Sequence, residues 1–289
     1  MLWILDLDGV VWIGNQAIEG SAKAIDDLHR RGDRVIFTTN NSFMTIEGYL
    51  AKLRGFSIQA APEDIFTSAL AAAQLASQDH LVATCAGPGV TQALEKLNIP
   101  SISLLDSLTQ KDLLGAVKSH AIGSLIVGYH LEFGYSSLSA GIGVLASGAR
   151  LIGTNSDPTY PTQSGLLAGT GALVASFSYG AGIEPIYAGK PCAPMVDLVK
   201  SNFILGSDAI VVGDRPSTDG LFARSLGARF GLVYSGVTPK SQSLKLLQSL
   251  SAAKSSGTSP SAGADNYLIE PDISADTLYD LVFQSGQAK

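Results

Sequence analysis

Short apolar blocks along the chain repeatedly end in polar clusters, and stretches of helical periodicity lie between them. Trp3–Leu5 is apolar and runs into carboxylates at Asp6 and Asp8. Residues 21–32 carry Ile25 and Leu28 on one face, with Ser21 placed to cap the start and Gly32 to stop the helix. Val35–Phe37 forms a second apolar block ending in Thr38–Ser42, and residues 45–55 are again helical up to Gly55. A helix is predicted over 63–77. A new series opens at 81–87 and continues through a helix at 90–97, a strand at 124–130, a Gly-rich helix at 135–148, a strand at 149–157 and a small-residue helix at 169–180. The last series has strands at 185–191, 209–214 and 228–236, helices at 194–202, 220–227 and 275–283, and a Ser/Gly/Ala-rich excursion at 251–265. Strands alternating with helices predict an α/β fold built on parallel sheet.

In such a sheet the carboxyl ends of the strands share one edge, and ligands bind there at the switch point. Four polar clusters directly follow predicted strands: Asp6/Asp8, Thr39/Asn40/Asn41, Lys190, and Asp214/Asp219. They are expected to converge although more than 200 residues separate the first from the last. Converging carboxylates repel unless a cation is shared among them, and hard oxygen donors select Mg²⁺ over zinc. Mg²⁺ and a lysine would relieve the repulsion between an anionic nucleophile and a phosphate ester. A carboxylate could then attack phosphorus, and a second one two residues on, Asp8, could protonate the leaving alcohol and later deprotonate water. The Thr39 hydroxyl and the backbone N–H groups at Asn40 and Asn41 could hold phosphoryl oxygens.

Composition narrows the classes. The 289 residues are 46% apolar and 15% charged, ample for a core and unlike a disordered chain. The net charge of −6 comes without a Lys/Arg stripe, which argues against nucleic acid as a partner. Two cysteines, Cys85 and Cys192, make neither a disulfide framework nor a zinc motif. Residues 158–183 carry no charge, yet Pro158, Pro161, Gln163 and many Ser, Thr and Gly residues interrupt any apolar run of spanning length. With no basic start before an apolar run, the expectation is a cytoplasmic protein that engages no membrane.

WILDLDGVVW, FTTNNS, AGKP and VVGDRPSTDG, in that order, resemble the four motifs of the haloacid-dehalogenase-like hydrolase superfamily. The insert between the second and third motifs, with IGTNSDPTYP and GLLAGTGALV, is similar to the type-two α/β cap of the p-nitrophenyl phosphatase-like subfamily (subfamily IIA). That subfamily also holds nucleotide, sugar-phosphate, phosphoglycolate and pyridoxal-phosphate phosphatases. The resemblance implies a doubly wound, Rossmann-like core over 1–79 and 184–289, with an inserted cap over 80–183 that sets substrate specificity. It implies a Mg²⁺-dependent phosphatase for small phosphorylated metabolites, working through an aspartyl-phosphate. Asp6 would be nucleophile and metal ligand. Asp8 would be general acid/base and bind metal through its carbonyl. Thr39 and Asn40, with Asn41 beside them, would bind phosphate. Lys190 would neutralise nucleophile and phosphate, Asp214 would bind metal, and Asp219 would support it. In the cap, the loop Asn155–Tyr160 would meet substrate, through Asn155, Asp157 and Tyr160. Tyr160 stands where a relative acting on pyridoxal phosphate has histidine, which weakens that substrate. The resemblance leaves a homodimer open. A phosphomutase or other phosphoryl transferase on the same fold, or a non-catalytic phosphometabolite-binding protein, are the alternatives. Asp6 paired with Asp8 argues against the binding protein.

Overall fold

In the computed structural model, residues 1–105, 121–162, 165–206, 208–241 and 269–287 are described. Along the chain the elements are β1 (Leu2–Asp6), β2 (Trp12–Ile13), β3 (Gln16–Ala17), α1 (Ser21–Arg30), β4 (Arg34–Thr39), α2 (Ile46–Gly55), β5 (Ile65–Thr67), α3 (Ser68–Leu75), β6 (Val82–Cys85), α4 (Pro88–Lys96) and β7 (Ser101–Ser103). They continue with β8 (Ser124–Val127), α5 (Tyr135–Ala146), β9 (Arg150–Gly153), β10 (Thr159–Thr162), β11 (Gly165–Ala168), α6 (Thr170–Ala181), β12 (Ile186–Tyr187) and α7 (Ala193–Asn202). The last are β13 (Ile210–Gly213), α8 (Leu221–Leu226), β14 (Arg229–Val233), β15 (Ile273–Ala275) and α9 (Leu278–Gln287). The Ser/Gly/Ala-rich excursion expected at 251–265 lies outside the described residues.

The chain divides into two compact units. The first comprises Met1–Thr38, Lys52–Asp64 and Lys200–Lys289; the second comprises Thr39–Ala51 and Ile65–Val199. All of 80–183, the expected insert, falls in the second unit, which also takes in segments on either side of it.

In the first unit β15, β14, β13, β1 and β4 lie side by side, and every pairing is parallel. These strands are apolar along their length: Trp3, Ile4 and Leu5 of β1 and Val211 and Val212 of β13 are all buried. Continuous apolar runs of this kind are what a parallel sheet covered on both faces requires. Helix α1 packs through Ala24, Ile25 and Leu28. The expected cap at Ser21 is not one. Gly20 precedes the helix in a left-handed conformation, φ 78°, and the Ser21 hydroxyl instead donates to the Val11 carbonyl at 3.1 Å. A Cβ on Gly20 would lie 2.8 Å from Tyr279 Cβ of α9, so only glycine suits that corner.

In the second unit β12, β9, β8, β6 and β7 form a fully parallel five-stranded sheet. Its core includes Leu125, Val127, Leu151, Val174 and Phe177, with Phe133 meeting Phe177 edge-on at 5.7 Å. Gly141 of α5 fits against that ring, because a Cβ there would lie 2.2 Å from Phe177 Cε1. Three sequence expectations change here. The helix predicted over 63–77 begins only at Ser68, capped by Thr67, whose side chain accepts from Leu70 N at 3.2 Å; the three residues before it form β5. The loop expected over Asn155–Tyr160 gives way at Thr159 to a hairpin, with β10 antiparallel to β11 and Tyr160 opposite Leu167. Strand β12, which leads to Lys190, pairs with β9 and so extends this sheet, not the one that carries β1 and β13. Its two residues register with Ile152 and Gly153, which leaves it as an edge strand here.

Candidate functional site

The first unit gathers carboxylates at the carboxyl ends of its central strands. The chain leaves β1 for β4 on one side and later returns to β13 on the other, so strand order reverses at β1. That reversal opens a crevice at the strand ends. Asp6 is the last residue of β1, and Asp214 follows the last residue of β13. Because Leu5 pairs with Val212, the two aspartates emerge next to each other. Asp219 joins them from the single π-helical turn Pro216–Gly220. One carboxylate oxygen from each of Asp6, Asp214 and Asp219 lies within 4.8 Å of the other two. The three residues are only 8%, 2% and 2% exposed.

Backbone N–H groups hold the carboxylates of Asp214 and Asp219. Asp214 Oδ2 accepts from Val237 N at 2.6 Å, and its carbonyl accepts from the Thr238 hydroxyl. Asp219 Oδ2 accepts from Arg215 N at 3.2 Å. Glycines let the loops close in: a Cβ on Gly9, which has φ +88°, would lie 2.5 Å from Asp214 Oδ2, and one on Gly236 would lie 1.9 Å from it. Three carboxylates so close and so buried carry mutual repulsion and a desolvation cost that a shared divalent cation offsets. An all-oxygen donor set suits a hard cation. The residues present therefore fit the metal that the sequence implies, with Asp219 contributing a carboxylate beside Asp6 and Asp214.

The Asp8 carboxylate is not one of those three. Its Oδ1 accepts from the indole Nε1 of Trp12 at 3.0 Å. Lys52 Nζ stands 4.1 Å from the Trp12 ring centroid and donates to the Gly14 carbonyl at 2.7 Å. Burial draws the Lys52 ammonium below the usual lysine range, and the Asp8 charge partly counters it.

The second unit holds the remaining sequence-derived candidates. Lys190, 3% exposed, is clamped by Asn40: Asn40 Oδ1 accepts from Lys190 N at 2.7 Å, and Asn40 Nδ2 donates to the Lys190 carbonyl at 3.0 Å. The Asn40 carbonyl in turn accepts from Asn155 Nδ2 at 2.8 Å and from the Ser68 hydroxyl at 2.7 Å. Gly189 has to be bare, since a Cβ there would lie 2.5 Å from Asn40 Oδ1. Thr39 Oγ1 accepts from Asn41 N at 3.0 Å, so that N–H is already engaged. Asn41 Oδ1 accepts from Phe43 N, and its carbonyl accepts from the Tyr49 hydroxyl. Asn155 is buried, and besides holding Asn40 it accepts from Asp157 N at 3.0 Å. Tyr160 lies in β10 of the hairpin.

Two partnerships escaped the sequence reading. The Asn40 amide reaches a main chain 150 positions away, a pairing with no local signal. Trp12 lies four residues after Asp8, but the contact needs the turn closed by Gly9 N donating to the Trp12 carbonyl at 2.7 Å.

Known proteins resemble this chain in sequence and in fold. A family model described as haloacid dehalogenase-like hydrolase matches residues 3–100, and a second of the same hydrolase type matches 187–281. A 5'-nucleotidase of Bacillus subtilis is 31% identical over 244 residues, 82% of this chain and 88% of its own. An acid sugar phosphatase of Staphylococcus aureus is 32% identical over 239 residues, 82% of this chain and 87% of its own. The crystal structure of a hypothetical protein from Pyrococcus horikoshii superposes with a TM-score of 0.82 at 28% identity, covering 98% of this chain and 99% of that one. The chain belongs to the haloacid dehalogenase-like hydrolase family, as an enzyme similar to that family's phosphatases.

Proposed function

We propose that this protein hydrolyses small phosphate monoesters through a phosphorylated Asp6. The observation that carries the reading is the buried trio Asp6, Asp214 and Asp219 at the switch point of the first unit's sheet. Such a trio suits Mg²⁺, held by Asp6, Asp214 and Asp219 together with the Asp8 carbonyl that the family resemblance adds. When bound, the ion would neutralise phosphate charge and so lower the barrier to anionic attack.

The chain's own groups do the rest. An Asp6 carboxylate oxygen attacks phosphorus, forming the Asp6–phosphorus bond as the ester P–O bond breaks. Asp8 gives its proton to the leaving oxygen and then takes one from the water that hydrolyses the acyl phosphate. Lys190, its backbone fixed by Asn40, supplies positive charge to the phosphoryl oxygens. Thr39, whose oxygen already accepts from Asn41 N, retains a hydroxyl hydrogen to donate to phosphate. Residues 80–183 act as the cap that selects substrate, with Asn155, Asp157 and Tyr160 on its specificity segment. The substrate class is a small phosphorylated metabolite, as the 5'-nucleotidase and acid sugar phosphatase similarity suggests.

Inorganic phosphate release from a panel of nucleoside monophosphates, sugar phosphates, phosphoglycolate and p-nitrophenyl phosphate, with Mg²⁺ and with EDTA, tests this. Mg²⁺-dependent release is expected. Isomerised sugar phosphate without free phosphate would instead mark a mutase.

A further inference from the structure

Trp12 is a tryptophan placed with unusual strictness. It is fully buried, and its main chain is tied on both sides: Trp12 N donates to the Leu7 carbonyl at 3.2 Å, and its own carbonyl accepts from Gly9 N at 2.7 Å. The short β2–β3 hairpin pairs it with Ala17. Its ring is boxed in by Phe56, with centroids 5.9 Å apart, and by the Lys52 ammonium 4.1 Å from the ring centroid. All this rigidity aims one polar atom, Nε1, at Asp8 Oδ1, 3.0 Å away. A cation over an indole face also polarises its N–H toward stronger donation. Trp3 offers the contrast, because its buried Nε1 has no hydrogen-bond partner among the described residues.

We infer that Trp12 is a positioning residue for proton delivery: its indole N–H holds Asp8 Oδ1 and thereby turns Asp8 Oδ2 toward the leaving oxygen. The inference rests on the reading of Asp8 as the general acid. In the transfer step the bond from Asp6 oxygen to phosphorus forms while the ester P–O bond breaks. The electron pair of that bond stays on the leaving oxygen, which takes the proton from Asp8 Oδ2. An alkoxide needs that proton to leave; nitrophenolate is a stable anion and departs without it. Misplacing the acid therefore slows alkyl esters selectively, whereas a loosened fold slows all esters alike.

The test compares kcat/KM, which reports the first transfer step, for glycerol phosphate and p-nitrophenyl phosphate with Mg²⁺ present. Trp12→Phe removes the N–H and keeps an aromatic ring. A second protein, with both tryptophans replaced by the sulfur isostere benzothienylalanine, keeps ring volume, and among the described residues Trp12 loses a bond while Trp3 Nε1 makes none to lose. The expected result is a ratio of glycerol phosphate to p-nitrophenyl phosphate kcat/KM about tenfold lower in both proteins, the worth of one strong hydrogen bond between neutral groups. Asp8→Asn should lower that ratio further, by about a hundredfold or more. A selective loss with Asp8→Asn, but equal loss or no loss on both esters with the Trp12 replacements, overturns the positioning role. An unselective Asp8→Asn overturns the general-acid reading itself.

Discussion

Asn40→Ala removes the clamp on Lys190 without touching the lysine. Two hydrogen bonds disappear, of 2.7 and 3.0 Å, and both of their Lys190 partners are backbone groups of a residue only 3% exposed. Leaving a buried backbone group unsatisfied costs about 1–3 kcal/mol. Water entering the vacated space recovers part of that, so a net loss of about 2–4 kcal/mol in stability is expected. The loop carrying Lys190 then samples other positions. Misplacement of a charge-stabilising group by about an ångström costs on the order of a hundredfold in rate. Urea unfolding reads the first effect, and kcat/KM for phosphate release reads the second. The double variant with Lys190→Ala should lose little more activity than Lys190→Ala alone, since Asn40→Ala acts only by misplacing the charge that Lys190→Ala removes. Asn40→Asp should not rescue, because it keeps an acceptor for Lys190 N but sets a carboxylate against the Lys190 carbonyl. Wild-type stability together with wild-type kcat/KM in Asn40→Ala would refute the clamp, and strictly additive losses would separate Asn40 from Lys190.

Gly236→Ala should weaken divalent-cation binding by tenfold or more in a calorimetric titration, since its Cβ would fall 1.9 Å from Asp214 Oδ2 and displace a ligand; unchanged affinity would mean Asp214 holds no metal. Asp214→Ala should abolish that binding while the chain stays folded, as seen by circular dichroism. Burial pushes the Cys85 thiol up to about 12, with the Ser137 hydroxyl lowering it slightly. The unfolded chain loses its thiol proton near pH 9 while the folded chain keeps it. The stability Cys85 adds is therefore complete below pH 9 and falls as pH rises toward 12, and Cys85→Ala should flatten that part of the denaturation curve. His130, 3.2 Å from Cys85 Sγ, has its pKa lowered by burial, with Glu132 opposing. The unfolded state thus binds the extra proton, and stability should fall as pH drops below about 6.5, a loss that His130→Gln removes.

The alternation of apolar blocks and helical stretches made the parallel α/β fold readable, because strands buried on both faces leave unbroken apolar runs such as Trp3–Leu5 and Ile210–Val212. Asp6 and Asp214 were readable for the same reason: each stands just beyond such a run. What the sequence hid is what depends on partners far away or on very short elements. The three residues of β5 are too few to show a period, so they merged with the helix that follows. The two residues of β12 give no hint of which sheet they join. Tyr160 fell in a hairpin because the loop after β9 is shorter than its Pro and Asp content suggests. Asn40 read as a phosphate contact through its backbone N–H, and no local signal shows that its side chain spends both polar atoms on the Lys190 backbone. The Trp12 contact was hidden because nothing in a run of Val10, Val11 and Trp12 reveals that an indole N–H turns back to Asp8.

The central claim is that Asp6 carries the phosphoryl group. Acid-quenched enzyme, mixed briefly with substrate and Mg²⁺, should contain an acyl phosphate that borohydride reduces to homoserine at position 6. Asp6→Asn should be folded, form no such adduct and release no phosphate. Turnover by Asp6→Asn at the wild-type rate, or an adduct mapped to another residue, would contradict the account.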